Sequence, residues 1–300
     1  MKRILALALG LVMIVALLAA CAPATTDDPP YNDTQNDTQN EVPQWDWDFD
    51  ELVMATNAAF PPFEFVDDDG NYAGFDVDIA NALADRLGLT LRIDNMAFDA
   101  IITAVQTGPG NVVGIAAITI TEERAQVINF TMPYFETELV VIVREDSDIM
   151  THDDIEGRDV GVQLGTTSDL FVENSARFDE DQIDVLRLQN PPDLIPALNV
   201  GQVDLVIIDR EVALQFINDF PGLRMLEEPI GQDTYGIVVQ QGQEALLAAL
   251  NSALAEMKAD GTYDAIFDYW FGGGEADYDY GEYDHGYDDY DNDNEAYEEE

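Results

Sequence analysis

Basic residues are scarce in this chain: twelve Lys and Arg stand against 61 Asp and Glu over 300 residues, a formal net charge of −49. Nucleic acid is thereby excluded as a partner, because binding it takes several Lys or Arg on its phosphates. An anionic membrane surface is disfavoured for the same reason. Cysteine is all but missing, with Cys21 alone, so no disulfide can form within the chain. Imidazole comes only from His152 and His285. One Cys and two His supply neither a Cys/His nucleophile pair nor a metal cluster, and no metal or other cofactor is expected. Beyond Leu18 there is no further long apolar run.

The single early run has a use. Lys2 and Arg3 precede apolar residues from Ile4 to Leu18, the charged start and apolar core of an export signal. It closes on Leu18-Ala19-Ala20-Cys21, which resembles the lipobox of bacterial lipoproteins, where the cysteine thiol receives a diacylglyceryl group. Residues 1–20 read as a lipoprotein signal peptide, with Cys21 the lipidation site and the mature chain held on the outer face of the bacterial cell membrane by two acyl chains. An uncleaved anchor is the alternative, although the run is short of the ~20 residues that a span needs.

The acids divide the rest. Residues 22–49 hold seven acids and 273–300 hold thirteen, with no Lys or Arg in either. The first stretch, rich in Asp, Asn, Thr, Gln and Pro, reads with Cys21 as a disordered acidic tether over 21–49. Trp45, Trp47 and Phe49 at its end suggest a short strand or an apolar flap on the folded part. The second, with six Tyr, reads as a disordered, solvated tail over 273–300. Even residues 50–272 carry about −31, which suits high salt or high pH, where hydrated carboxylates keep a protein soluble. Asp67-Asp68-Asp69-Gly70-Asn71 reads as a hairpin turn rather than a calcium loop.

Between the flanks, strands and helices alternate. Strands are expected at Leu52 to Thr56, Leu89 to Ile93 and Val112 to Ala117, with helices at Phe75 to Leu87 and Phe98 to Val105. The plan repeats from Asp159: strands to Val162, at Ile183 to Leu188 and at Leu205 to Ile208, helices at Thr166 to Ala176 and Asp193 to Asn199. Two α/β lobes with mainly parallel sheets follow. Tyr235 to Val239 and a helix from Glu244 to Asp260, ended by Gly261, could join either lobe on pattern alone.

Six blocks in this region carry a resemblance: Ala55-Thr56-Asn57-Ala58-Ala59-Phe60-Pro61-Pro62-Phe63-Glu64-Phe65, Gly74-Phe75-Asp76-Val77-Asp78, Ile118-Thr119-Ile120-Thr121-Glu122-Glu123-Arg124, Gln163-Leu164-Gly165-Thr166-Thr167, Val203-Asp204-Leu205-Val206-Ile207-Ile208-Asp209, and Gly261-Thr262-Tyr263-Asp264-Ala265-Ile266 before Trp270-Phe271. In this order they resemble the family 3 extracellular solute-binding proteins, the polar amino-acid receptors of ABC importers. The resemblance implies a two-lobed, periplasmic-binding-protein-like (type II) fold with two hinge crossovers, near Tyr134 to Glu138 and Gly231 to Tyr235, around a central cleft. Lobe 1 would comprise 50–136 and 234–272, lobe 2 residues 137–233. It further implies a monomer that binds an amino acid and docks on a membrane permease, without catalysis. Two other classes remain open: an enzyme on the same scaffold resembling cyclohexadienyl dehydratases, and an extracellular ligand-sensing module.

The chemistry suits a free amino acid. A carboxylate asks for a rigid, permanently charged fork, and Arg124 sits in a first helical turn where free N–H groups also favour anions. A surface Arg paired with Glu122 or Glu123 is the plainer reading. Gly165-Thr166-Thr167 offers a second helix start, with Thr166 and Thr167 contributing backbone donors. Asp209 closes a buried strand at the edge where ligands of α/β sheets bind, although it could simply cap the next helix. The resemblance assigns Asp209 to the α-ammonium and adds the Thr119 hydroxyl and the Ala117 carbonyl. Phe60 and Phe98 match its aromatic walls, Asn57 and Gln163 its contacts with the ligand's side chain. Their neutral groups favour glutamine or another polar neutral amino acid, with a cationic one such as arginine or histidine second; an acidic one would bury an uncompensated carboxylate. Three residues depart from the family pattern: Ala117 stands where Gly is frequent, Val113 and Met132 where Asp is.

Overall fold

The computed structural model describes residues 45, 47–178 and 181–272. The signal peptide, Cys21, most of the tether and the 273–300 tail lie outside the described residues. Among the described residues, no helix is long and apolar enough to cross a membrane.

The chain opens with β1 (Glu51–Thr56), the short strands β2 (Ala59–Phe60), β3 (Glu64–Val66) and β4 (Tyr72–Ala73), helix α1 (Phe75–Leu87), β5 (Thr90–Asn95), α2 (Phe98–Thr107), β6 (Val112–Gly114), α3 (Glu122–Ala125) and β7 (Asn129–Phe130). Next come β8 (Phe135–Arg144), β9 (Val160–Gln163), α4 (Thr167–Asn174), β10 (Val185–Leu188), α5 (Leu194–Asn199), β11 (Leu205–Asp209), α6 (Arg210–Asp219), β12 (Leu223–Met225) and β13 (Gly231–Tyr235). It ends with β14 (Val238–Val239), α7 (Glu244–Asp260) and α8 (Thr262–Phe271).

Two large sheets result, one per lobe, beside a small one of β2, β3 and β4. The first has the order β5-β1-β6-β14-β7, with β5, β1 and β6 parallel; the second runs β10-β9-β11-β8-β12, with β13 also on β8. Each is buried on both faces, which explains why its central strands read as unbroken apolar runs. Along β1, Leu52 and Met54 enter one core cluster while Val53 and Ala55 enter another, and β11 divides Val206 and Ile208 from Leu205 and Ile207 in the same way. The first cluster continues from lobe 1 into lobe 2.

The two hinge segments pair with each other. β13 runs antiparallel to β8 from Gly231 opposite Leu139 to Tyr235 opposite Phe135. Under this ribbon lies an aromatic cluster from four parts of the chain: Phe63, Phe75, Phe135 and Tyr235, joined by Phe267 and Phe271 of α8, with Phe63 and Phe135 edge to face at 4.9 Å between ring centres.

Helix α1 follows its predicted bounds. Gly74 precedes it at φ 129, and a Cβ there would come within 2.2 Å of the Phe63 carbonyl oxygen, so only glycine fits. At α7 the stop is likewise as expected, with Gly261 at φ 86. Asp67 does make a hairpin turn between β3 and β4, its Oδ1 accepting from the Asp69 and Asn71 N–H groups. Trp45, Trp47 and Phe49 stack in series as a flap, with the Trp47 indole donating to the Leu87 carbonyl. Three expectations need correction. The sheets expected to be mainly parallel are mixed, with β14 antiparallel to β6 and β7, and β8 antiparallel to β11, β12 and β13. The strand expected to reach Ala117 ends at Gly114, because Ala117 takes φ 48 and turns its N–H to a side chain. The segment read as one strand from Tyr235 to Val239 is two, since the chain passes at Gly236 from the lobe 2 sheet to that of lobe 1.

Candidate functional site

The ten residues that the sequence nominates all line one cleft between the lobes, enclosing about 310 Å³ of space between atoms, part of it open to solvent. Lobe 1 brings Asn57 from the end of β1, Phe60 from β2, Phe98 from the start of α2, and Ala117, Thr119 and Arg124 from the stretch between β6 and α3. Lobe 2 brings Gln163 from the end of β9, Thr166 and Thr167 from the start of α4, and Asp209 from the end of β11. Glu64 and Ala116 also line it.

Arg124 is held from several sides. The Thr121 hydroxyl caps the short helix by accepting from the Arg124 N–H at 3.1 Å, and the guanidinium lies 5.5 Å from the centre of the Phe98 ring. Its Nη1 donates to the Thr119 carbonyl at 2.8 Å and its Nη2 crosses to the Gly165 carbonyl of lobe 2 at 3.1 Å. Among the described residues no ion pair joins it to Glu122 or Glu123, so the surface reading fails. Burial lowers its pKa, and the charges of Asp233, Asp209 and Glu123 push it back up.

Asp209 differs. It precedes α6 but its side chain makes no capping hydrogen bond, and its buried Oδ1 has no aligned hydrogen-bond partner among the described residues. Burial, then repulsion from Asp233, push this carboxyl up to about 8, with the adjacent Tyr235 phenol offsetting part of the rise. Behind Ala117, a second acidic pair is buried. Asp76 Oδ2 accepts from the Ala117 N–H at 2.7 Å and the Tyr134 hydroxyl at 2.8 Å, while the Glu64 carboxyl interacts with that of Asp76. Burial raises Glu64 well above the usual carboxylate range and Asp76 to about 6, so that Glu64 keeps the proton and Asp76 the charge.

The polar side chains meet one another across the cleft. Gln163 Nε2 donates both to Asn57 Oδ1 and to the Gln189 carbonyl at 2.9 Å, and Asn57 Nδ2 donates to the Met96 carbonyl at 2.9 Å. Thr166 Oγ1 donates to the Gln163 carbonyl and caps α4 by accepting from the Asp169 N–H. Thr119 and Thr167 both donate to Asp233 Oδ2, at 2.9 and 2.5 Å. Sequence reasoning missed Asp233 and Asp76 and gave Glu64 no place in the site. The available signal was a lone acid inside an apolar or hinge segment. Among the described residues no group of three or more His, Cys, Asp or Glu could hold a metal ion.

A sequence profile of the bacterial extracellular solute-binding proteins, family 3, matches residues 52–273. The chain belongs to that family. Among this solute-binding protein's relatives, an L-cystine-binding protein of Escherichia coli (strain K12) is 32% identical over 226 residues, 74% of this chain and 82% of that one. An ancestral arginine-binding protein bound to arginine superposes with a TM-score of 0.70 at 40% identity, over 74% of this chain and 99% of that one. The same kind of protein bound to glutamine gives 0.69 at 40% identity, over 74% and 98%. These relatives are named for binding, and this solute-binding protein is not an enzyme. Its Ala117 stands at φ 48, in the left-handed region that favours glycine.

Proposed function

We propose that the protein captures a free amino acid between its lobes and delivers it to the membrane permease of an ABC importer, which recognises the closed form. The carrying observation is a buried guanidinium and a buried carboxyl from opposite lobes on one cleft: Arg124 for the solute's carboxylate and Asp209, ionised when paired, for its ammonium. Thr119, Ala117 and the first-turn N–H groups of Thr167 and Ser168 would complete the two ends. Lobe 1 as 50–136 with 234–272 and lobe 2 as 137–233 would then rotate about the β8–β13 ribbon. In the same reading the chain is exported, anchored through Cys21 and monomeric, with 21–49 as spacer and 273–300 as solvated tail.

For the side chain, the donor inventory favours an arginine-like solute over the glutamine-like one expected from sequence. Both Nε2 protons of Gln163 and one Nδ2 proton of Asn57 are already engaged, so what these residues mainly offer is oxygen. Glu64 adds a carboxyl and the Phe60 and Phe98 rings flank the site. A guanidinium, with five donors and a flat face, matches acceptors and rings together.

The test is a thermal-shift screen of the protein, unfolded and refolded to strip bound solute, against the twenty amino acids. A solute at a hundred times its dissociation constant adds about 2.7 kcal/mol of stability. The expected outcome is a rise in melting temperature with arginine, and a smaller one with lysine, histidine or glutamine. No rise with any of them would overturn the assignment.

A further inference from the structure

Asp233 sits at the middle of β13, opposite Thr137 of β8, on the ribbon between the lobes. It is 8% exposed. Its single oxygen Oδ2 accepts two hydroxyl protons, one from Thr119 of lobe 1 and one from Thr167 at the start of lobe 2's α4. Thr119 is also fixed beside β13 through a backbone bridge to Tyr235, so the Thr119–Asp233 bond joins lobe 1 to the ribbon while Thr167 holds the same oxygen from the lobe 2 side.

A hydroxyl owns one proton, and once it is donated the oxygen offers only lone pairs elsewhere. Both threonines line the cleft. We propose that Asp233 is a positioning residue of the solute site: it commits the Thr119 hydroxyl to act as an acceptor toward the solute's α-ammonium, while Thr167 of its own lobe holds the same oxygen in place. The inference rests on the amino-acid reading above. Charge supports the geometry, because Asp233 lies close enough to Arg124 and Asp209 to influence both, adding negative potential at the ammonium end.

Asp233→Ala is the direct test. It removes the acceptor of both hydroxyls, so that the Thr119 proton is no longer committed. Calorimetry on the full chain should compare arginine with its α-hydroxy analogue, in which a hydroxyl replaces the ammonium. We expect the variant to lose roughly tenfold or more in affinity for arginine and much less for the analogue, so that the preference for the ammonium shrinks. A purely structural role would weaken both ligands equally, and that result, or no change in either, would overturn the proposal. Thr119→Val serves if the first variant fails to fold. It removes the committed acceptor and should likewise shrink the preference for arginine over the analogue; an unchanged preference would overturn the proposal. If the wild-type protein bound no amino acid, the functional reading itself would fall, and this inference with it; arginine binding in the wild type with an unaltered preference in Asp233→Ala would remove Asp233 alone.

Discussion

Arg124 and Asp209 face one cleft from opposite lobes, both buried, yet the protein treats them differently. The guanidinium is already coordinated, by the Thr119 carbonyl of its own lobe, the Gly165 carbonyl of the other and the Phe98 ring. The carboxyl has one oxygen without an aligned partner among the described residues and favours its proton up to about pH 8. A charge that the fold itself satisfies can serve as a fixed post. A charge that the fold leaves unsatisfied is a demand that a cation can meet, and meeting it strengthens closure.

The difference can be broken from both sides. Arg124→Ala and Asp209→Asn should each cost roughly 3 kcal/mol or more of solute binding, above a hundredfold, because each leaves one end of a zwitterion unmatched. Their effects on the unliganded protein should diverge. Arg124→Ala strips partners from two carbonyls and one cross-lobe link and should lower the melting temperature by several degrees, whereas Asp209→Asn removes a strained ionisation and should leave it level or higher at pH 8. Isothermal calorimetry with melting curves reads both, and equal destabilisation by the two variants would show that the contrast is not real.

Gly165→Ala probes the cross-lobe link without touching either charge. Gly165 has φ 78, and a Cβ there would stand 3.0 Å from the Asp99 Cβ of lobe 1. The variant should hinder closure and weaken binding by about tenfold, with small-angle scattering at saturating solute showing a larger radius than wild type. A variant that closes as tightly as wild type would exclude this contact as a limit.

Acidity separates the two charges again. Asp209 titrates near 8 when folded and near 3.8 as an unperturbed carboxyl, so the folded protein holds the proton more tightly. Stability from this group is present in full below about pH 4 and is lost as pH rises through 8. Asp76 acts in the same direction over a narrower window, up to about 6. Affinity should run the other way, climbing between about pH 6 and 8 by up to about tenfold per unit, since the ammonium binds the ionised form. Calorimetry in buffers of different ionisation enthalpy should detect a released proton; a buffer-independent heat would count against it. The smallest effect is at Ala117, where glycine removes the φ 48 strain and should raise stability by up to about 1 kcal/mol, read as a denaturation midpoint.

Much of this was visible in the residues. Helical spacing with glycine stops placed α1 and α7, and the apolar runs located the central strands. What escaped depends on through-space neighbours. Nothing in Val112 to Ala117 signals that Asp76, 41 positions away, draws the Ala117 N–H out of the ladder. Apolar pattern likewise does not say which sheet Tyr235 to Val239 joins; the resemblance, not the pattern, put a crossing beside Gly236. Charge type and position nominated Arg124 and Asp209. Asp233 is bonded to hydroxyls 114 and 66 residues away, and Asn57 and Gln163 satisfy each other across 106, which is why the side chain we propose differs from the one expected.

The aromatic cluster beneath the β8–β13 ribbon has a mechanical consequence. Rings packed edge to face resist shear, each pair adding about 0.5–1.5 kcal/mol beyond burial, and here they brace both strands of the crossing against a helix from the end of the folded chain. The ribbon behaves as a bearing with one soft coordinate, so that the lobes turn about an axis instead of sliding. Capture should then be timed by a single rotation, the same one for every solute that fits.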